Sequence, residues 1–193
     1  MPRKVDHRER RELLANALMR LAAAQGLEKV SLRQVAAEAG VSTGMVQHYF
    51  RTKDEMMTFA LGMVMDRIRE RSQAEAAPTT PRELVRGLLL QVLPLDETRR
   101  LENHVVLAFL AYAALRPSIA SGLREGAAGM RTFLAGQLRA AAADGIDPDH
   151  AAAGLLALVD GLGLQLLSHQ YTEAEAVAAL DAQLTLLFRP AAT

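Results

Sequence analysis

A short run of polar side chains near the N-terminus could recognise the edges of DNA bases. Thr43, Gln47 and His48 offer a hydroxyl, an amide and an imidazole, which form hydrogen bonds with base edges or with phosphates. On a helix these three residues face outward if Val46 and Phe50, which are four positions apart, face the core. The chemistry that this arrangement indicates is recognition of a nucleic acid by hydrogen bonding.

Residues 31–50, which carry these side chains, have the layout of a helix-turn-helix. Ser31–Gln34 predicts a capping box that opens the first helix. Gly40 permits a sharp turn, and Ser42 or Thr43 is expected to cap the second helix. The major groove is about 12 Å wide and accepts one such helix. The alternative is a helical hairpin whose outer face is merely solvated, but the coincidence of cap, turn, inward apolar residues and basic flanks favours DNA binding.

Residues 31–50, followed by Lys53, resemble the DNA-binding domain of the TetR family of bacterial regulators. The similarity covers about residues 8–60, and the runs 93–97 and 160–162 are similar to the BetI-like type of C-terminal domain. The resemblance implies an all-α protein that regulates transcription and binds double-stranded DNA.

The resemblance also implies a helix-turn-helix domain in residues 1–52 and a ligand-binding and dimerisation domain in residues 53–193. Tyr49 and Lys53 match positions that contact phosphates, and Arg33 matches a position on the preceding helix that reaches DNA. The DNA-contacting residues implied in this way are Arg33, Ser42, Thr43, Gly44, Met45, Gln47, His48, Tyr49 and Lys53.

Helical periodicity runs through nearly the whole chain and predicts nine helices. Capping residues, glycines and prolines place their ends. The expected spans are about 6–25, 32–39, 43–50, 53–76, 81–93, 97–115, 117–143, 148–168 and 173–189.

The net charge of zero hides an uneven distribution of charge along the chain. Residues 1–55 carry ten Lys and Arg against seven Asp and Glu, so the remaining residues carry twelve against fifteen. This distribution predicts that the first segment alone meets a polyanion.

Several protein classes are disfavoured by what the sequence lacks. There is no cysteine, which excludes disulfides and cysteine metal sites. No nucleophile elbow, phosphate loop or His-Glu-x-x-His motif is present, so an enzyme, a cofactor and a metal are not expected. The longest apolar run, Val105–Leu115, is too short to span a bilayer, and a cytoplasmic protein without a membrane partner is expected. A purely structural helical module remains an alternative, and it predicts no salt-dependent DNA binding.

The two C-terminal helices carry apolar stripes that predict a second partner surface. The resemblance implies that these helices pack against those of a second subunit, so that two recognition helices, about 34 Å apart, read a palindromic operator. A monomer with an internal core helix is the alternative. The expected interface residues are Leu155, Leu158, Val159, Leu162, Leu166, Val177, Leu180, Leu184 and Leu187.

The resemblance further implies a cavity for a small organic effector among helices four to eight, mostly apolar with a few polar groups. Binding there would tilt helix four and release DNA, as expected of a repressor, although activation stays open. Core packing is the alternative for each residue. The expected pocket residues are Met63, Asn103, His104, Phe109, Tyr112, Met130, Phe133, Gln137, Gln165 and His169.

Overall fold

A computed structural model describes residues 3–74, 80–114, 116–141 and 145–189. Within these ranges the chain is all-α, as predicted, with no strand. Leu27–Lys29 forms a 3-10 turn, which the periodicity did not predict because it is only three residues long. The helices are α1 Arg3–Gln25, α2 Leu32–Glu38, α3 Thr43–Tyr49, α4 Lys53–Ala74, α5 Pro81–Val92, α6 Glu97–Ala114, α7 Pro117–Ala140, α8 Pro148–Leu167 and α9 Glu173–Leu187.

Most predicted helix ends agree with these bounds within one or two residues. The clearest difference is α1, which begins at Arg3 and not near residue 6. The predicted ends at residues 76, 115 and 143 lie outside the described residues. Capping boxes predicted from the sequence are present at Ser31, Thr80 and Thr172, and each satisfies backbone N–H groups that the helix leaves without an internal partner. A fourth box was predicted at Thr52 and Glu55. There the Glu55 amide donates to the Thr52 hydroxyl over 3.1 Å, but the Glu55 carboxylate accepts from the amide of Arg51 over 3.0 Å.

Contacts divide the chain into two compact units. The N-terminal unit comprises Met1–Arg67 and His104–Ala120, and the C-terminal unit comprises Ile68–Asn103 and Ser121–Thr193. The helices α4, α6 and α7 are therefore shared between the units. The predicted domain boundary at residue 52 does not coincide with this division and stays a prediction about function.

One helix requires a correction to the expectation that no segment could span a membrane. By length and composition, α8 is long and apolar enough to cross a bilayer. A stripe along it, which includes Leu155, Val159, Leu162 and Leu166, is buried in the core of the C-terminal unit. Packing within that unit therefore accounts for much of its apolar character, and we infer no span from it.

Gly163 of α8 lies against a side chain of α6 inside the C-terminal unit. A Cβ added to Gly163 would be 2.9 Å from Oδ1 of Asn103. The Asn103 amide cannot swing away freely, because its Nδ2 donates to the Val92 carbonyl over 3.0 Å. We therefore expect Gly163→Ala to lower the free energy of unfolding by about 1–3 kcal/mol, as overpacking does.

Chemical denaturation measures this effect, and Gly129→Ala on α7 is the matched control. A Cβ at Gly129 would meet nothing within 4 Å, so alanine there is expected to stabilise the helix by up to about 1 kcal/mol. Equal stability of the two variants would show that the side chain of Asn103 does not lie close enough to Gly163 to exclude a methyl group.

Candidate nucleic-acid interface

The helix-turn-helix is built around a small apolar core in the N-terminal unit. Val35, Val46 and Phe50 are fully buried, and Ala36 is almost fully buried. Gly40, between the two helices, has a φ of 67°, a left-handed conformation that a side chain would strain. The amide of Met45 donates to the Ser42 hydroxyl over 3.2 Å, so Ser42 and not Thr43 caps α3.

The opposite face of α3 is exposed. Its polar members Thr43, Gln47 and His48 are all open to solvent, as predicted, and Arg33 of α2 is exposed as well. Gly44 is exposed, and a Cβ added to it would meet only the Ser42 hydroxyl, at 3.9 Å, outside its own helix backbone and chain neighbours. This short helix therefore presents hydrogen-bonding groups and a bare stretch of backbone to solvent, which suits the major groove of DNA.

Tyr49 is held in place by two imidazole rings. The ring of His7 on α1 lies 4.9 Å from the Tyr49 ring, and the neighbouring His48 ring lies 5.1 Å from it edge-on. Tyr49 is half-buried, so these contacts restrict its ring beside the exposed face of α3. Sequence reasoning did not identify His7, because its contact with α3 joins residues far apart in the chain.

Lys53 is placed differently from a freely extended phosphate contact. Its Nζ donates to the carbonyl oxygen of Leu27 over 2.5 Å. Burial lowers the pKa of Lys53, and the Arg116 charge lowers it further, whereas the Glu28 and Asp54 carboxylates raise it. An ammonium has three N–H donors, so a phosphate contact by Lys53 would have to share the group with this carbonyl or displace it. The phosphate role of Lys53 stays a prediction.

Arg11 fixes α1 to the helices that follow the turn, and sequence reasoning did not identify it. Its guanidinium lies 4.5 Å from the ring centroids of both Phe50 and Phe59. One of its nitrogens is also 3.2 Å from a carboxylate oxygen of Glu55. A guanidinium stacked on aromatic rings stabilises this corner of the N-terminal unit.

The predicted effector residues are distributed over both units. In the N-terminal unit Met63, Phe109 and Tyr112 are buried and His104 is exposed. In the C-terminal unit two of the predicted residues are exposed, Phe133 and His169. The other four are half-buried; they are Asn103, Met130, Gln137 and Gln165. The pocket stays a prediction, since these placements do not assemble it within either unit.

Several of these polar side chains have other roles in the fold. Tyr112 donates its hydroxyl to Asp54 over 2.9 Å, and Asn103 donates to Val92. His169 follows the end of α8 with a φ of 57°, so it forms the turn toward α9. These contacts favour the structural alternative for these three residues.

A small apolar cavity lies inside the N-terminal unit. Its volume is about 10 Å³, which holds about one water molecule and no organic ligand. Phe109 is the predicted pocket residue that lines it. The lining side chains are Leu18, Met19, Ala22, Leu27, Met57, Ala60, Val105 and Phe109.

The predicted interface residues are mostly buried within the protomer. Leu158 and Val177 are half-buried. The other seven are at most 8% exposed and belong to the core of the C-terminal unit; they are Leu155, Val159, Leu162, Leu166, Leu180, Leu184 and Leu187. These seven have almost no surface left for a second subunit, so their assignment is corrected to the protomer core.

A different face of α8 and α9 is exposed in the protomer. On α8 it is formed by small residues at helical spacing and by Leu164, which is 53% exposed. On α9 it includes Leu186, also 53% exposed. We call it the outer face of α8 and α9; its members are Ala153, Ala157, Asp160, Gly161, Leu164, Ala174, Ala178, Ala182 and Leu186.

The described residues contain no group of three or more acidic or histidine side chains placed to hold a metal ion. The chemistry that the exposed groups of α3 offer is hydrogen bonding.

Comparisons with known proteins agree with this geometry. Residues 14–58 match the family described as bacterial regulatory proteins, tetR family, and residues 81–189 match the BetI-type transcriptional repressor C-terminal domain. The HTH-type transcriptional regulator PksA of Bacillus subtilis is 35% identical over 170 residues, covering 86% of this chain and 83% of PksA.

Solved structures show the same similarity. A transcriptional regulator from Rhodococcus sp. Rha1 is 40% identical, with a TM-score of 0.83 over 92% of this chain and 95% of that one. The multidrug binding protein EbrR, solved in complex with imidazole, is 32% identical, with a TM-score of 0.66 over 100% of this chain and 96% of EbrR.

Proposed function

The chain belongs to the TetR family of DNA-binding transcriptional regulators, and on that premise we propose that it is a repressor that binds a palindromic operator as a homodimer and is released by a small organic effector. It is a regulator and not an enzyme. As a regulator of transcription it would work in the cytoplasm, where bacterial DNA lies.

The exposed face of α3 is the single observation that carries this proposal. A helix whose buried side is fixed by Val46 and Phe50 presents Thr43, Gln47 and His48 outward in one rigid array. Rigid placement matters because base readout needs donors and acceptors in register with the groove. Gln47 is proposed to read a base edge, and Tyr49 to contact a phosphate.

A second subunit is proposed to pack on the outer face of α8 and α9. Ala153, Ala157 and Gly161 recur at helical spacing, and such small side chains let two helices approach closely. The exposed Leu164 and Leu186 add apolar surface that a monomer would leave in water.

Asp160 lies on the same face, and its partial burial, which removes water from the charged form, raises the pKa of its carboxyl. A two-fold interface would have to give this group a polar partner.

An effector is proposed for the C-terminal domain by analogy. That part of the chain matches the BetI-type repressor domain, and EbrR is described as a multidrug binding protein. A ligand that binds one arrangement of the helices more tightly shifts the population toward it. Whether binding represses or activates depends on where the operator lies relative to the promoter.

Two substitutions on α3 separate phosphate contact from base reading. We expect Tyr49→Ala to weaken binding to every duplex by about 10–100-fold, as the loss of a hydrogen bond to a charged group does. We expect Gln47→Ala to reduce discrimination at one base position by about 1–3 kcal/mol and to leave binding to unrelated duplexes nearly unchanged.

Fluorescence anisotropy with labelled duplexes at several salt concentrations measures both effects. Tyr171→Ala and Gln170→Ala, both at exposed positions between α8 and α9, are the matched controls. Unchanged affinity in both α3 variants would remove α3 from the DNA interface, and no salt-dependent binding by the parent protein would favour a structural module.

A further inference from the structure

The last turn of α6 reaches the first turn of α4 within the N-terminal unit. Tyr112 is only 7% exposed, and its hydroxyl donates to Oδ1 of Asp54 over 2.9 Å. The guanidinium of Arg116 lies 3.6 Å from the centroid of the Tyr112 ring. Arg116 also lies 3.5 Å from a carboxylate oxygen of Glu28. Tyr112 of α6 and Arg116, two residues beyond the end of α6, thus connect this part of the chain with Asp54 in the first turn of α4 and with Glu28.

Lys53 joins the same cluster from the first residue of α4. Its ammonium lies 5.6 Å from the centroid of the Tyr112 ring and donates to the carbonyl of Leu27, which precedes Glu28. The ring of Tyr112 therefore has two cations near it, an arrangement that cation–π attraction favours. Three segments meet at this point: the 3-10 turn Leu27–Lys29, which is the turn before α2, the first turn of α4, and the end of α6.

We propose that Tyr112 and Arg116 are positioning residues for DNA binding, which hold the first turn of α4 and the turn before α2 in the arrangement from which α2 and α3 meet DNA. The inference rests on the proposed function. Because Tyr112 is buried, it acts through Asp54 and Lys53 and not by touching DNA. Its hydrogen bond involves a carboxylate, so it is among the stronger hydrogen bonds available to a tyrosine.

Removal of the Tyr112 hydroxyl is expected to lower the population of the DNA-binding arrangement and to leave the number of phosphate contacts unchanged. If removing the hydroxyl lets α4 leave this arrangement for part of the time, the apparent affinity falls in proportion to the competent fraction. The dependence of affinity on salt reports the number of phosphates neutralised, and it should stay the same. A lost phosphate contact would instead make that dependence shallower by about one unit of slope.

The test compares Tyr112→Phe with Tyr171→Phe, which removes a hydroxyl from an exposed tyrosine of the C-terminal unit. The first readout needs no DNA. It is hydrogen exchange of the α4 amides from residue 56 onward, where the Met56 amide donates to the Thr52 carbonyl. We expect exchange about tenfold faster in Tyr112→Phe alone, because local opening becomes easier.

The second readout is anisotropy with a duplex selected by the parent protein. We expect about fivefold to tenfold weaker binding by Tyr112→Phe with an unchanged salt slope. Asp54→Asn completes a double-mutant cycle, and its effect should be smaller in the Tyr112→Phe background than in the parent protein.

If the α4 amides of Tyr112→Phe exchange at the rate of the parent protein, the Tyr112 hydroxyl does not hold the first turn of α4, and the proposal is overturned. Faster exchange with unchanged DNA affinity, or a shallower salt slope, would overturn the positioning role. A parent protein that binds no DNA would instead overturn the proposed function, and the exchange rates in the same samples would still decide whether Tyr112 anchors α4.

Discussion

Leu164→Glu is expected to convert the protein from a dimer into a monomer and to weaken binding to a two-half-site duplex by about 100-fold or more. Leu164 is 53% exposed in the protomer and lies on the outer face of α8 and α9. A two-fold interface uses the same patch twice, so one substitution places two carboxylates in it. Burying charges without partners opposes association strongly.

The loss of DNA affinity follows from the loss of linkage between two binding modules. When one half of a dimer is bound, the second half binds its half-site at a high effective concentration, and this raises affinity by about 10²–10⁴-fold. Sedimentation velocity measures the oligomeric state, and anisotropy measures binding to duplexes with one and two half-sites. The monomeric variant should bind both duplexes with similar affinity.

Met65→Glu is the matched control, because Met65 is 38% exposed but lies on α4 in the N-terminal unit. It should remain dimeric. A dimeric Leu164→Glu variant would show that the subunits associate through another surface.

Arg71→Met is expected to give the largest loss of stability of any variant considered, about 3–5 kcal/mol. Glu102 is 3% exposed and is the single charged residue among the described ones to be buried to this degree. Arg71 binds it with two nitrogens, at 2.8 and 3.3 Å, and also donates to the side chain of Gln91 over 3.1 Å. Without the guanidinium, the Glu102 carboxylate loses this two-nitrogen ion pair in a buried position.

Two further variants distinguish a lost partner from a lost contact. Arg71→Met combined with Glu102→Leu should recover much of the stability, because an apolar pair of similar volume avoids burying a charge. Arg86→Met breaks the Arg86–Asp181 pair, whose side chains are 37% and 33% exposed, and should lose less than about 1 kcal/mol. Urea unfolding of the parent protein and these three variants gives the values. If Arg71→Met and Arg86→Met lose equal stability, the burial of Glu102 does not make the Arg71–Glu102 pair more important for stability than an exposed ion pair.

The features that follow from short stretches of sequence could be predicted. A capping box is a local arrangement, so Ser31, Thr80 and Thr172 could be placed from a serine or threonine and the glutamine or glutamate three positions later. Gly40 could likewise be placed at the sharp turn between α2 and α3, where the structure gives it a φ of 67°. The exposed and buried faces of α3 followed from the same periodicity.

The outer face of α8 and α9 could not be predicted, for a physical reason. Periodicity identifies the most apolar stripe of a helix, and in α8 that stripe, which includes Leu155 and Val159, forms the protomer core. The outer face consists largely of alanine and glycine, which are as common on solvated helices as at helix contacts. Composition does not distinguish the two.

Contacts between residues that are far apart in the chain could not be predicted from the sequence either. Tyr112 was expected in an effector pocket because it is a polar residue on an apolar helix, and in the structure its hydroxyl is bound to Asp54. Lys53 was expected at a phosphate, and in the structure it donates to the Leu27 carbonyl. Such pairings depend on how helices meet, and the helical pattern carries no information about that.

Selection of bound sites from a random DNA library by the purified protein tests the central claim most directly. Two recognition helices related by a two-fold axis should enrich an inverted repeat whose half-sites are centred about 10–10.5 base pairs, or a multiple, apart. Loss of that repeat with Leu164→Glu would link it to dimerisation. Enrichment of no sequence, or of a single site without inverted symmetry, would contradict the account.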